Sequence, residues 1–303
     1  SMRLGDIMFR IGLFLATNLA IILLASITLR LLGVDGILAE NGVDLNLQGL
    51  LAFCAVFGFI GALISLLISK PMAKFSTRAK IIELPVDSEQ RWLMETVSDL
   101  AKAADIGMPQ VAIFPAQQAN AFATGWNRNN ALVAVSQGVL QRFDREQVRA
   151  VLAHEIGHVA NGDMVTLALV QGVINTFVMF LARLAGFFVD RVLLKNERGL
   201  GMGYWITTIV AEIVLGILAS TIVMWFSRQR EFRADAAGAR LSSPAAMVSA
   251  LQALQREVSA HVPNQMPDTM TAFGISPGWK KNASKLFTTH PPLEERIARL
   301  QQR

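Results

Sequence analysis

The sequence predicts a mostly helical membrane protein of the α+β class, in which four spans alternate with a polar part that contains a small β-sheet. Hydrophobic residues make up 52% of its 303 residues and charged residues only 17%, whereas soluble domains carry about 25% charged residues. The apolar residues also gather in four long runs, each able to cross a hydrocarbon core of about 30 Å as a helix. These runs cover residues 11–32, 48–69, 165–189 and 204–226.

Composition excludes several other classes of protein. A disordered chain would be richer in charge and poorer in large apolar residues. A disulfide scaffold needs paired cysteines, and Cys54 is the only cysteine. The net charge of +5 could indicate nucleic-acid binding, but no zinc-finger, RRM or homeodomain pattern accompanies it. Buried helices of a large soluble domain are the remaining alternative, and four such runs disfavour it.

The distribution of charge predicts the orientation in the membrane. The loop between the first two runs contains acidic residues and no lysine or arginine, whereas basic residues follow the second and the fourth runs. Positive charge gathers on the cytoplasmic side, so we expect both termini and the polar segments there. The loop 190–203 is an exception, because it is basic and would lie on the outer side. The basic residues that decide the orientation are Lys70, Lys74, Arg78, Lys80, Arg228, Arg230 and Arg233.

The runs divide the chain into four predicted segments: a first hairpin over 1–70, a polar segment over 71–164, a second hairpin over 165–226 and a polar segment over 227–303. Within the polar segments, apolar spacing predicts helices over 85–105 and 293–300 and a helix that begins near Asp144. Short apolar stretches between turn residues predict three strands, at 110–114, 121–123 and 132–136.

Two charged residues lie inside the second hairpin. Arg183 and Glu212 would come to similar depth in antiparallel helices, where an ion pair would offset the cost of burying either charge alone. The alternative is that Arg183 extends outward to the membrane surface without a partner. The sequence leaves both possibilities open.

The main chemical signal is the motif His154-Glu155-Ile156-Gly157-His158. Residues four apart share a face of a helix, so both imidazoles can reach one metal ion. Glu155 is rotated about 100° from His154, close enough to take a proton from a water on that metal. Zinc bound in this way supports hydrolysis, because it acidifies water and polarises a carbonyl. The alternative is two histidines on a helix surface beside an unrelated glutamate.

A catalytic zinc ion needs a third protein ligand and an open position. His261 is one candidate. Glu231 is the better one, because an out-and-back hairpin returns the chain from His158 to the same membrane face. Asp235 follows Glu231 by four residues and would point toward the same site, where it could accept the second N–H of a ligand histidine. The alternative for Glu231 is a surface ion pair with a neighbouring arginine.

Taken in order along the chain, these motifs resemble the HtpX family of bacterial membrane zinc metalloproteases, relatives of the eukaryotic CAAX prenyl endopeptidase. The resemblance rests on the two N-terminal spans, Asn120-Ala121-Phe122-Ala123-Thr124-Gly125, the His-Glu motif, the second hairpin, Glu231 to Asp235, and Thr289-His290-Pro291-Pro292. It implies a gluzincin-type protease domain at the cytoplasmic face of the bacterial inner membrane. It also implies one zinc ion per subunit, bound by His154, His158 and Glu231, with Glu155 as general base.

The resemblance implies further roles. Asn120, Ala121, Phe122 and Ala123 would form the edge strand to which an extended substrate adds by backbone hydrogen bonds, unless Asn120 is a plain loop cap. His290 would stabilise the oxyanion, unless it only caps the C-terminal helix.

The implied activity is quality control of misfolded membrane proteins under stress. The partners would be protein or peptide substrates and the lipid bilayer, without nucleic acid, and self-cleavage is possible. Two alternatives stay open: processing of lipidated or signal peptides, and a metal-sensing scaffold or transporter without hydrolysis. The second is disfavoured because only Arg183 and Glu212 lie well inside the runs, which is too few for an ion path.

Overall fold

The computed structural model describes residues 46–260 and 291–302. The predicted first span, 11–32, the alternative ligand His261 and the predicted oxyanion residue His290 lie outside the described residues. The described chain forms eight α-helices and four strands, and a π-helical stretch, Phe188–Leu193, continues the fifth helix. In chain order the elements are α1 Leu47–Thr77, β1 Lys80–Ile81, α2 Ser88–Ala103, β2 Gln110–Phe114, β3 Ala121–Thr124, β4 Leu132–Ser136, α3 Gln137–Arg142, α4 Arg145–Asn161, α5 Asp163–Phe187, α6 Met202–Leu241, α7 Pro244–Ser259 and α8 Leu293–Gln301.

The chain divides into two compact units, which the long helices α1, α5 and α6 connect. Of the described residues, the first unit comprises 46–65 and 167–223, and the second comprises 66–166, 224–260 and 291–302. The predicted fold class is confirmed: the described chain is mostly helical with a small mixed sheet. The division into four segments at 70, 164 and 226 stays a prediction.

The described part of the first unit is formed by helices that are long and apolar enough to cross a membrane. Three candidates are found among the described residues: Leu47–Thr77, Asp163–Leu193 and Met202–Leu241. They contain the predicted runs 48–69, 165–189 and 204–226, while the total number of spans stays a prediction. Large apolar side chains on these helices are exposed, which is the expected arrangement for side chains that contact lipid.

Close contact between α1 and α5 explains two glycines of the first unit. A Cβ atom on Gly58 would lie 2.9 Å from the backbone nitrogen of Thr176, and one on Gly172 would lie 2.7 Å from the ring of Phe59. Small residues at such crossings let helix backbones approach closely, and the resulting dispersion contacts hold helices together in lipid.

The two charged residues of the second hairpin form an ion pair. A guanidinium nitrogen of Arg183 lies 2.8 Å from Oε1 of Glu212 and also donates to the carbonyl oxygen of Met179. Of the two possibilities that the sequence left open, the structure has the ion pair. The Arg183 side chain is 22% exposed and the Glu212 side chain 39% exposed. Because both lie within apolar helices, each charge would be costly without the other.

Reversing one charge of this pair should destabilise the protein, because like charges would then lie side by side. We expect Arg183→Glu or Glu212→Arg to lower the free energy of unfolding by at least about 2 kcal/mol. The double swap should recover most of that loss. Thermal unfolding in a lipid-like detergent measures all three variants, and a double variant no more stable than either single one would contradict the pairing.

The second unit is built on a four-stranded sheet in the order β1-β2-β4-β3. β2 and β4 run parallel, and β3 pairs antiparallel with β4. The three predicted strands are present, and β3 extends one residue further, to Thr124. The two-residue strand β1 was not predicted, because Lys80 and Ile81 are too few to give a period. β4 is buried along its whole length, whereas β3 lies at the edge.

Helix α4 lies against this sheet and carries the His-Glu motif. It begins as predicted at Asp144, whose side chain accepts from the backbone N–H of Gln147 while the Gln147 side chain accepts from the Asp144 N–H. Leu152 and Ile156 are fully buried in the main core. The helix ends at Gly162, which adopts the left-handed conformation with φ of 68° that glycine permits. α5 begins at the next residue, so the motif helix leads directly into an apolar helix.

Candidate metal centre

The two histidines of the motif lie side by side within the second unit. His154 and His158 are each 6% exposed, and their ring centroids are 4.8 Å apart with the planes nearly perpendicular. Glu155, between them in sequence, is half-buried. One face of α4 thus presents both imidazoles, as the spacing predicts.

Glu231 reaches the same point from α6, although it is 73 residues from His158 in the chain. Its Oε1 lies 2.8 Å from Nε2 of His158, and its Oε2 lies 3.3 Å from Nε2 of His154. The carboxylate is 2% exposed. The structure therefore brings together the three residues that were expected to bind metal, with ligand atoms within 4.8 Å of one another.

A carboxylate oxygen lies close to Nδ1 of each imidazole. Asp235 Oδ1 lies 2.8 Å from Nδ1 of His154, at the position expected from its spacing to Glu231. Asp163 Oδ2 lies 2.8 Å from Nδ1 of His158. Sequence reasoning missed Asp163. The available signal was an acidic residue just after the turn glycine Gly162, at the start of the next helix.

Arg296 is a second residue that sequence reasoning missed. It lies on α8, is 6% exposed, and donates two hydrogen bonds of 2.7 Å to the two oxygens of Asp235. The same guanidinium lies 3.5 Å from Oε2 of Glu231. An arginine placed one helical turn before the buried Leu300 was the available signal. One cation thus fixes both Asp235 and Glu231.

The charges of the cluster shift the pKa values of its members. Burial lowers the pKa of His154, but the adjacent carboxylates of Asp235 and Glu231 outweigh burial and raise it to about 10. Burial also lowers the pKa of His158, but Asp163 and Glu231 raise it by more, so the net shift of this pKa is upward. Burial raises the pKa of Asp235, whereas Arg296 and His154 lower it below its usual value. The carboxylates therefore favour positive charge at both rings.

This arrangement fits a divalent metal ion. Two imidazoles and one carboxylate are a ligand set of catalytic zinc sites. In a tetrahedral site with metal–ligand bonds of about 2.0 Å, the ligand atoms are about 3.3 Å apart. The observed separations of 2.8 and 3.3 Å are close to this value. A divalent cation would also replace two imidazole protons without a change in charge, and the outer carboxylates would fix both rings.

Two glycines let the ligand-bearing helices approach each other. A Cβ atom on Gly157 of α4 would lie 2.8 Å from Cβ of Ala237 on α6. A Cβ atom on Gly238 would lie 3.1 Å from the backbone nitrogen of His154. Because Glu231 and Asp235 are on α6, this close crossing sets their distance from the histidines.

The segment expected to contact substrate lies at the edge of the sheet. Ala121 and Ala123 pack against the main core, and Phe122 contacts Phe114 on the other face of the sheet. The Asn120 side chain is exposed, and its Oδ1 accepts from the backbone N–H of Ala121. In the described sheet β3 pairs only with β4, which leaves its other edge for a further strand.

The fold and the site define a membrane metallopeptidase. The chain belongs to peptidase family M48 and, within that family, to the HtpX proteases. The match to Peptidase family M48 covers residues 87–303. Protease HtpX of Pseudomonas fluorescens strain Pf0-1 is 64% identical over 296 residues, which are 98% of this chain and 100% of that protein. Protease HtpX of Hahella chejuensis is 64% identical over 293 residues, 97% of this chain and 99% of that protein.

A solved structure shares the fold. The crystal structure of S. mikatae Ste24p superposes with a TM-score of 0.60 at 18% sequence identity, over 92% of this chain and 66% of that one. At this identity the similarity concerns the fold alone. The match to Peptidase family M48 and the HtpX relatives confirm the family resemblance expected from the motifs, together with a metalloprotease activity that acts on protein or peptide substrates.

Replacing Gly157 with alanine should disturb the metal centre, because the added methyl group would push α6 away from α4. We expect a loss of about 1–3 kcal/mol in the free energy of unfolding and weaker metal binding. Gly216→Ala on α6 is the matched control, since an added Cβ atom there meets nothing within 4 Å. Thermal unfolding and metal titration compare the two variants, and equal behaviour would contradict the close crossing.

Replacing Asp163 with asparagine should weaken metal binding about 10- to 100-fold, as is typical for outer-shell partners of metal ligands. The amide keeps the shape but loses the charge that holds Nδ1 of His158. Competition with a chromophoric chelator in metal-free protein measures the affinity. Glu146→Gln, an exposed position on α4, is the control. An unchanged affinity in Asp163→Asn would show that Asp163 does not support the centre.

Proposed function

We propose that the chain is a zinc-dependent endopeptidase in which His154, His158 and Glu231 bind the metal ion and Glu155 is the general base. One observation carries the proposal: the Glu231 carboxylate lies between the two Nε2 atoms, at 2.8 and 3.3 Å, in a buried cluster. Bound there, zinc would supply a Lewis acid for the scissile carbonyl.

Glu155 is suited to move a proton. It is rotated about 100° from His154 on the helix and therefore borders the centre without sharing the face of the two ligands. It is half-buried, so it can reach water while remaining in the field of the cluster. It would accept a proton from the attacking water and pass that proton to the leaving amine. Asp235 would hold His154 in the orientation that the metal needs.

The sheet edge supports a mode of substrate binding. β3 offers backbone groups on its outer edge, so an extended polypeptide would add as a further strand along Ala121, Phe122 and Ala123. Asn120 would contact a substrate carbonyl. Main-chain hydrogen bonds read shape rather than sequence, which suits an enzyme that acts on many unfolded segments. His290 would stabilise the oxyanion.

The cellular setting is also part of the proposal. The basic residues that follow the second and fourth apolar runs support an inner-membrane protein whose centre and termini face the cytoplasm. The four segments 1–70, 71–164, 165–226 and 227–303 would then alternate between membrane and cytoplasm. The substrates would be misfolded membrane proteins under stress, with self-cleavage at cytoplasmic segments of the same chain.

Replacing Glu155 with glutamine tests the mechanism. The three ligand side chains stay in place, so metal content should be unchanged, while kcat for an unfolded protein such as casein should fall about 10²- to 10⁴-fold. Metal analysis of the purified protein and cleavage assays before and after chelation measure both quantities. His154→Ala should lose metal as well as activity, and Glu146→Gln should keep both. Undiminished proteolysis by Glu155→Gln would end the proposal.

A further inference from the structure

A cavity rich in arginine lies behind the metal centre in the second unit. It has a volume of about 500 Å³, is open to solvent, and lies among the end of α4, one face of α6 and α8. Arg233 and Arg240 line it from α6, where residues seven apart share a face. Arg296 and Arg299 line it from α8. We refer to the space bounded by these four residues as the arginine cavity.

The positive charge of the arginine cavity is only partly balanced. Asp235 is the only carboxylate among the described residues that line it, and Arg296 donates hydrogen bonds to both of its oxygens. Arg299 lies 3.2 Å from Glu295, but both side chains are about half exposed, so water screens that pair. Within residues 46–260 and 291–302, Arg240 has no carboxylate partner.

Arg233 and Arg299 are also held near the cavity. Arg233 lies 3.9 Å from Oδ1 of Asp163, at the limit of an ion pair, while the other oxygen of Asp163 contacts His158. The guanidinium of Arg299 stacks over the ring of Phe232 at 3.6 Å. A cation packed on an aromatic face loses less conformational freedom when it binds an anion. The cavity therefore presents oriented cations to an anionic ligand.

The position of the cavity points to the ligand. Arg296 is shared by the cavity wall and the metal centre, since its guanidinium lies 3.5 Å from Glu231 Oε2. The arginine cavity and the metal centre therefore share one side chain. Arginine side chains bind carboxylates with two parallel hydrogen bonds. We propose that the arginine cavity binds acidic side chains of the polypeptide substrate at a distance from the scissile bond and gives the protease a preference for substrates with Asp or Glu there.

This inference rests on the proposed function and is tested with peptides that differ only in charge. A single Glu is moved one position at a time along an otherwise neutral, cleavable peptide, and each peptide is compared with its Gln counterpart. At one position the Glu peptide should have a KM about tenfold lower, with kcat nearly unchanged, because a charge-assisted hydrogen bond adds about this much affinity. The difference should shrink in high salt.

Variants of the cavity locate the effect. Arg240→Gln and Arg299→Gln together should abolish the preference for Glu while the Gln peptide is cleaved as before, and Arg240→Glu should favour a Lys peptide instead. Arg256→Gln, exposed on α7 and outside the cavity, is the control. Thermal unfolding shows whether each variant is folded, and the exposed single variant Arg240→Gln remains informative if the double variant is not.

A binding measurement separates recognition from turnover. In the Glu155→Gln background, fluorescence anisotropy should show tighter binding of the Glu peptide than of the Gln peptide, and Arg240→Gln should remove the difference. Equal KM values at every position, or a preference for Glu that persists in the cavity variants, would overturn the inference. In either case, cleavage of the neutral peptide that depends on Glu155 would leave the proposed function standing.

Discussion

The second unit is organised around the contact of one carboxylate with two imidazoles. Glu231 places its two oxygens 2.8 and 3.3 Å from the Nε2 atoms of His158 and His154. Three buried ionisable groups from two helices would be costly alone, but here each faces a group of opposite charge. Other features of the unit position these groups. The sheet supports α4, Gly157 and Gly238 allow α4 and α6 to cross closely, and Asp163 and Asp235 lie against the imidazole rings.

The cost of burying so much charge is offset by pairing in two layers. Asp163 and Asp235 hold the outer nitrogens of the rings, and Arg296 closes the network by binding Asp235 and approaching Glu231. These side chains come from α4, α5, α6 and α8, so elements distant in sequence depend on one another through electrostatics. The paired side chains are already in place without substrate, and such preorganisation lowers the reorganisation that catalysis requires.

The sequence predicted much of this arrangement, for reasons that differ between residues. His154 and His158 follow from helical periodicity, and Glu231 from the return of a membrane hairpin, which are both strong geometric constraints. Asp163 and Arg296 do not follow from either. Nothing in the sequence tells which face of α8 packs on α6, or that one residue beyond a left-handed glycine reaches back to His158. Strand β1 was not predicted for a related reason: only its pairing with β2 in the folded protein defines a strand of two residues.

The order of the elements also has a consequence for stability. His154 and His158 precede the second apolar hairpin and Glu231 follows it, so the cluster is complete only when α5 and α6 have brought the chain back. Binding of a metal ion to the folded centre, and not to the unfolded chain, stabilises that folded state by mass action. The hairpin and the metal therefore support each other: the hairpin delivers Glu231 to the histidines, and a bound ion would oppose separation of α4 from α6.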